Sequence, residues 1–170
     1  MQQNFTTALG YVLQSEGGWE DNSADPGGVT MYGVTLDEYQ AYKANPHLTA
    51  VNLRNITMPE VNDLYRKNFW NVCSCDLLPG GIDYLVFDFG VNAGCGRSIK
   101  ILQQVIGATI DGSLGPKTLD LVLSTDPTIL MQQFTQAKED YYKTLNNPTF
   151  EAGWLNRVAQ AKINAAEMME

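Results

Sequence analysis

Gln14-Ser-Glu16-Gly-Gly-Trp19-Glu-Asp-Asn-Ser-Ala-Asp25-Pro-Gly-Gly28-Val-Thr30-Met-Tyr32-Gly-Val-Thr35 is the stretch on which the reading of this chain turns. Upstream of it, Phe5, Ala8, Leu9, Val12 and Leu13 recur at the spacing of one helical face. Glu16 stands four residues after Val12 and three after Leu13, so it extends that apolar face. Gly17 and Gly18 stop the helix, because glycine accepts the left-handed conformation that a helix end commonly needs. An acid in the last turn of a largely buried helix meets desolvation and the negative end of the helix dipole. Both disfavour its ionised form, which is the setting of a general acid working near neutral pH. Downstream, Asp25-Pro26-Gly27-Gly28 reads as a turn, and Val29 to Val34 alternates as half of a small hairpin would. The fold expected is mainly α, of α+β type, with one small β-hairpin after the first helix.

The helices that follow announce their own starts. Thr35 and Glu38 have capping-box spacing, so a helix begins at Leu36 and ends near Ala44. Asn45-Pro46 breaks it, and the polar stretch to Asn55 reads as loop. Thr57 and Glu60 repeat the box with Pro59 in the first turn, and Val61, Leu64, Tyr65 and Phe69 supply the apolar stripe. Asn71 to Gly81 reads as loop. A hydrophobic helix then carries Ile82, Leu85, Val86 and Phe89 as far as a break at Gly94 and Gly96, and Ile99, Leu102, Gln103 and Ile106 mark another. Pro116 opens a helix through Leu123, Asp126-Pro127 caps one through Tyr142 or Lys143, and the last runs from about Phe150 to Met168. The expected organisation is a catalytic lobe at 1–95 and a helical lobe at 96–170 packed against it as one compact, monomeric unit.

Bulk properties narrow the function classes. One hundred and seventy residues, 44% hydrophobic and 18% charged, suit a globular chain with a real core. A net charge of -8 argues against nucleic acid as the main partner and against a basic membrane-surface helix. No apolar run approaches the roughly 20 residues of a membrane span, so stable membrane insertion is not expected. The amino terminus shows no basic segment, apolar core and cleavage site, so no signal peptide is read there. The three cysteines, Cys73, Cys75 and Cys95, are an odd count and read as reduced or partly buried thiols, not as a disulfide framework. His47 is the single histidine and Cys-x-Cys is not a usual zinc spacing, so neither metal nor cofactor is expected.

An acid held protonated suggests glycoside cleavage, in which one carboxyl protonates the leaving oxygen and a second carboxylate activates water. Glu16 is the candidate donor. The second acid can be Glu20, Asp21 or Asp25, and Asp25 is preferred because its turn can fold back over the helix end. Thr30, on the following strand, can help to hold the water. Pyranose rings stack on aromatic faces and present polar edges, which makes Trp19, Tyr32 and Trp70 candidate platforms and Asp88 with Asn92 candidate hydrogen-bond partners. The alternative for Asp88 and Asn92 is to brace backbone in a buried helix. Trp154 and Arg157 read as packing that locks the last helix onto the core.

In order along the chain, Glu16-Gly-Gly-Trp19, Asp25-Pro-Gly-Gly28, Tyr65 with Phe69-Trp70, and Phe87-Asp88-Phe89-Gly90-Val91-Asn92-Ala93-Gly94 resemble the N-acetylmuramidases of glycoside hydrolase family 108. Leu102-Gln103-Gln104, Asp111-Gly112 and Gly115-Pro-Lys-Thr118 resemble a peptidoglycan-binding motif, and Phe150, Gly153-Trp154 and Arg157 match the closing segment. The plain alternative for Asp111 to Thr118 is a turn and a proline-started helix. The resemblance implies a lysozyme-like, mainly helical fold and an endolysin-like phage or secretion muramidase. Its implied reaction is hydrolysis of the β-1,4 bond after N-acetylmuramic acid in peptidoglycan glycan strands. It places the catalytic glutamate at Glu16, and the Glu16, Asp25, Thr30 order also resembles that of phage-type lysozymes. Without a signal peptide, a holin or secretion machinery would deliver the enzyme from the host cytoplasm to the periplasm and cell wall. Two departures stand out: Trp19 replaces the signature tyrosine, and the chain is strongly acidic for an enzyme of an anionic wall.

Overall fold

The computed structural model describes residues 2–21 and 28–169. Asp25 and most of its turn therefore lie outside the described residues. The chain falls into two compact units, Leu9–Lys67 and Met1–Ala8 with Asn68–Glu170.

In the Leu9–Lys67 unit, helix α1 (Gln2–Glu16) ends at Glu16, and Gly17 follows with φ 73°, the left-handed exit that two glycines imply. Three short strands come next: β1 (Trp19–Asp21), β2 (Val29–Met31) and β3 (Val34–Thr35). They form an antiparallel sheet in the order β1-β2-β3, so Val29 to Val34, expected as one arm of a hairpin, instead holds β2, a turn and the start of β3. Its register pairs Glu20 with Thr30 and Trp19 with Met31, and then Thr30 with Thr35. Between β2 and β3, Tyr32 and Gly33 both have positive φ, 53° and 74°. Two left-handed residues make the tight turn whose twist matches that of the flanking strands.

The capping boxes start helices where expected. Helix α2 (Leu36–Lys43) opens with Glu38 N–H donating to Thr35 Oγ1 at 3.2 Å and Thr35 N–H donating to Glu38 Oε2 at 2.9 Å. Helix α4 (Met58–Tyr65) opens with Thr57 N–H on Glu60 Oε2 at 2.8 Å. Between them the expected loop contains a short helix, α3 (Ala50–Arg54), started by Thr49 N–H on Asn52 Oδ1 at 2.9 Å. Asparagine three residues after threonine does the work of the usual glutamate there. Glu60 also pairs with Lys43, tying α4 to α2. The Lys43 ammonium first, then the Thr57 N–H, lower its carboxyl from 4.5 to about 2.

The other unit is a helical assembly about one buried helix. After a π-helical turn (Arg66–Trp70) and a 3-10 turn (Cys75–Leu77) come α5 (Ile82–Ala93), α6 (Cys95–Val105) and α7 (Pro116–Ser124). Helices α8 (Pro127–Thr144) and α9 (Pro148–Met168) complete it. Every residue of α5 from Ile82 to Gly90 is buried, and α6, α8 and α9 all pack on it. A helix apolar on nearly all sides can only be a core helix. Phe5, Trp70 and Phe87 meet edge-to-face with centroids 5.3–6.0 Å apart.

The expectation for the cysteines is corrected in this unit. Cys73 and Cys95 form a disulfide, while Cys75 remains a buried thiol. Burial first, and then the neighbouring Asp83 and Asp76 carboxylates, push that thiol well above its ordinary value. The odd count hid a true pair, because 22 residues of chain separate its members and the fold alone brings them together. Gly90 makes room for it: a Cβ there would lie 2.7 Å from Cys73 Sγ. Asp111 to Thr118 form the turn and proline-started helix given as the plain alternative. Buried Gln103 donates to Asp111 Oδ1 (2.7 Å), Ser113 O (2.9 Å) and Thr118 Oγ1 (3.3 Å) and accepts from Gly112 N–H (2.8 Å).

Candidate active site

Glu16 sits half-buried as the final residue of α1. The β2–β3 turn comes up against it. Tyr32 N–H donates to Gly18 O at 3.2 Å, and Tyr65 Oη, from α4, donates to Tyr32 O at 2.9 Å. Gly33 shows how close the approach is: a Cβ there would lie 2.5 Å from Tyr65 Oη and 3.2 Å from Glu16 Oε2. Only hydrogen fits between the turn and the acid. Tyr65 and Gly33 thus belong to the site, although sequence reasoning placed Tyr65 only in a helix stripe and a motif. The signal available was the Tyr-Gly pair between two β-prone segments, which reads as a tight turn.

Residues directly opposite in a sheet share a face. Thr30 therefore lies on the face that carries Glu20 and Thr35. Glu20 leans back toward the helix end, its Oε1 3.3 Å from where a Gly17 Cβ would be. Thr30 and Glu20 thus share one face of the sheet, and the Gly33 turn that follows β2 meets Glu16. Asp21 and Trp19 occupy the opposite face. There the Arg54 guanidinium lies 4.3 Å from the centroid of the half-buried Trp19 ring, a cation–π contact. Trp19, Asp21, Ala50, Val51 and Arg54 line a cleft of about 240 Å³. Arg54 escaped notice because α3, which carries it, reads as loop.

The three candidates on the other unit fare differently. Trp70 is fully buried, with Nε1 donating to Asp76 Oδ1 at 2.9 Å, so it is a core residue and offers no ring to a sugar. Asp88 is likewise unavailable. Its carboxylate receives Lys138 Nζ from α8, and Arg157 Nε and Nη2 from α9 at 3.3 and 3.2 Å. Burial pushes the Asp88 carboxyl up, but the two cations outweigh it and hold the acid below the ordinary carboxylate value. For Lys138, burial wins over Asp88 and lowers the ammonium. Asn92 remains exposed and donates to Asp88 O at 2.6 Å, bracing its own helix. Arg157 thus locks α9 onto α5, and Trp154 does the same on α8 by stacking on Tyr142 at 5.2 Å.

Among the described residues no group of three or more His, Cys, Asp or Glu side chains is placed to hold a metal ion. No helix among them is long and apolar enough to cross a membrane.

A mainly helical fold with a small antiparallel sheet after the first helix, and an acid at that helix end beside the sheet turn, defines a lysozyme-like glycoside hydrolase. The chain belongs to glycoside hydrolase family 108, matching the family described as "Glycosyl hydrolase 108" over residues 9–94. Residues 97–159 match a second family, described as "Predicted Peptidoglycan domain". Together they make the protein a peptidoglycan hydrolase. The solved structure of SagA from Brucella abortus is similar, with 31% identity, a TM-score of 0.85, and coverage of 100% of this chain and 98% of that one. Among curated proteins none matches.

Proposed function

We propose that the protein is an N-acetylmuramidase that hydrolyses the β-1,4 bond between N-acetylmuramic acid and N-acetylglucosamine, with Glu16 as general acid. The observation that carries this reading is the Glu16 carboxyl at the α1 end, with the Gly33 turn and Tyr65 hydroxyl close about it. Glu16 gives its proton to the glycosidic oxygen as the bond to the anomeric carbon breaks. Water attacks that carbon from the opposite face of the ring and loses its proton to a second carboxylate, so the configuration inverts. Asp25 is that base, with Thr30 helping to hold the water. Trp19 and Tyr32 supply aromatic surface for the sugar rings.

A second reading of the base rests on one contact. Glu20 lies on the Thr30 face with its carboxylate near Gly17, so Glu20 can take the role assigned to Asp25. Asp25→Asn and Glu20→Gln separate them: the true base loses orders of magnitude in rate, and the other variant keeps most of it. Glu16→Gln should abolish clearing of purified cell walls while the unfolding midpoint stays put. Lytic activity retained by that variant defeats the proposal.

Mass spectrometry of the products distinguishes the remaining alternatives. Reducing muramic ends mean hydrolysis, 1,6-anhydro ends mean a lytic transglycosylase, and co-sedimentation without released fragments means a non-catalytic wall-binding module. The protein acts as a monomeric, endolysin-like bacteriolytic enzyme on the wall side of the cytoplasmic membrane, where a phage holin or secretion machinery delivers it. The Cys73–Cys95 disulfide supports that placement, since such bonds persist in oxidising compartments.

A further inference from the structure

Helices α6 and α8 enclose a groove of about 770 Å³ at the α5–α6 junction, well inside the unit that contains the second family match. That volume falls in the usual range of ligand pockets, about 300–1,000 Å³. Arg97 and Lys100 stand one helical turn apart on α6 and face the groove, with Asp140 and Tyr141 opposite them on α8. Ile101 and the exposed Ile110 add apolar wall.

The charges here are arranged against the trend of the chain. Acidic residues outnumber basic ones 19 to 11, and the cations Lys43, Lys138, Lys143 and Arg157 all meet carboxylates. Arg97 and Lys100 meet none among the described residues, as is also true of Arg54, Lys67, Lys117 and Lys162, but these two line one groove together. Arg97 instead lies over the Tyr141 ring, 4.6 Å from its centroid. Lys100 is steered by the loop that Gln103 pins, since a Cβ on Gly112 would come within 3.2 Å of Lys100 Cε. The result is two exposed, held cations on one wall and an exposed carboxylate on the other, with apolar surface between them.

We propose that this α6–α8 groove binds the stem peptide of peptidoglycan, its free carboxylates on Arg97 and Lys100 and the free ammonium of its diamino residue on Asp140. The alanine methyl groups of such a peptide suit Ile101, Ile110 and the edge of Tyr141. A bare glycan strand has no ammonium for Asp140, and far less use for two adjacent cations. The substrate class rests on the peptidoglycan-hydrolase reading; the groove itself does not depend on Glu16.

Isothermal titration of the full chain with the sugar-free stem peptide tests this. Saturable binding is expected, weakened about ten-fold or more in Arg97→Gln and in Lys100→Gln, as loss of a charge-assisted contact implies. Lys162→Gln, a change at an exposed lysine elsewhere, should leave it unchanged. Asp140→Asn should weaken the native peptide and have no further effect on peptide acetylated at the diamino residue. Absence of binding, equal affinity after the carboxylates are esterified, or preference for peptide-stripped glycan overturns the proposal. Wall hydrolysis without peptide binding refutes the groove alone. Peptide binding without released fragments refutes the hydrolytic reading alone.

Discussion

At the scale of single residues, Gly33 decides how Glu16 is housed. Alanine there meets a φ of 74° and places a methyl 2.5 Å from Tyr65 Oη and 3.2 Å from Glu16 Oε2. The left-handed backbone alone costs roughly 1–2 kcal/mol, and displacing the Tyr65 hydroxyl adds about 0.5–1.5 kcal/mol for its lost bond. Gly33→Ala should therefore lower both the unfolding midpoint and the wall-clearing rate. Tyr65→Phe separates the causes, because it removes the hydroxyl with its 2.9 Å bond to Tyr32 O and leaves the space beside Glu16 intact. It should cost about 0.5–1.5 kcal/mol and less activity than Gly33→Ala; equal activity losses would make the hydrogen bond, not the space, the controlling feature. Asp88 poses a different problem: with Asp88→Ala, Lys138 is left fully buried without its counter-ion. A loss of about 3–5 kcal/mol in denaturant titration is expected. The same residue shows where reading stopped short. An acid in an otherwise apolar helix needs cations, but nothing in residue order says whether protein or sugar supplies its partner. Trp70, expected as a sugar platform, is a core residue, and it eludes residue order for the same reason, since a tryptophan suits either place equally.

At the scale of elements, most self-contained local chemistry was legible, although the Thr49–Asn52 cap that starts α3 lies in a stretch that reads as loop. Thr35 with Glu38 and Thr57 with Glu60 start helices by contacts three residues apart, and Pro116 and Pro127 stand first in theirs, whereas Pro148 opens a helix expected to begin near Phe150. The rest of what escaped depends on pairing at a distance. Strand β3 is two residues long and exists because Thr30 and Met31 pair with it, and the disulfide joins residues 22 apart. Closing a loop of that size implies about 3 kcal/mol from restriction of the unfolded chain. Cys73→Ala with Cys95→Ala should lower the unfolding midpoint by roughly 6–12 °C, and reductant should lower the native protein's by a similar amount but not that of the double variant. Glu60 gives the element scale a pH signature. Its folded carboxyl lies at about 2, below its ordinary 4.5. The stabilisation is complete above pH 4.5 and is lost as pH falls toward 2. Glu60→Gln should show a shallower decline of stability with falling pH across that window than the native chain.

At the scale of the whole molecule, a chain of net charge -8 must work on an anionic polymer. Long-range repulsion opposes the encounter, while Arg97 and Lys100 offer a local attraction within one groove. The two respond to salt over different ranges. Raising ionic strength from about 0.01 to 0.1 M shortens the Debye length from roughly 30 to 10 Å. That change removes most of the repulsion acting across the approach, yet it barely reaches contacts made at hydrogen-bond distance. Further salt then competes with the groove cations themselves. The initial rate of sacculus solubilisation should therefore rise, pass through a maximum and fall as sodium chloride is increased. Arg97→Gln with Lys100→Gln should flatten the falling limb, because the contact that high salt weakens is already gone. A native rate that declines steadily from the lowest salt would mean that local cation contacts govern the encounter throughout and that the net charge is of no consequence to it.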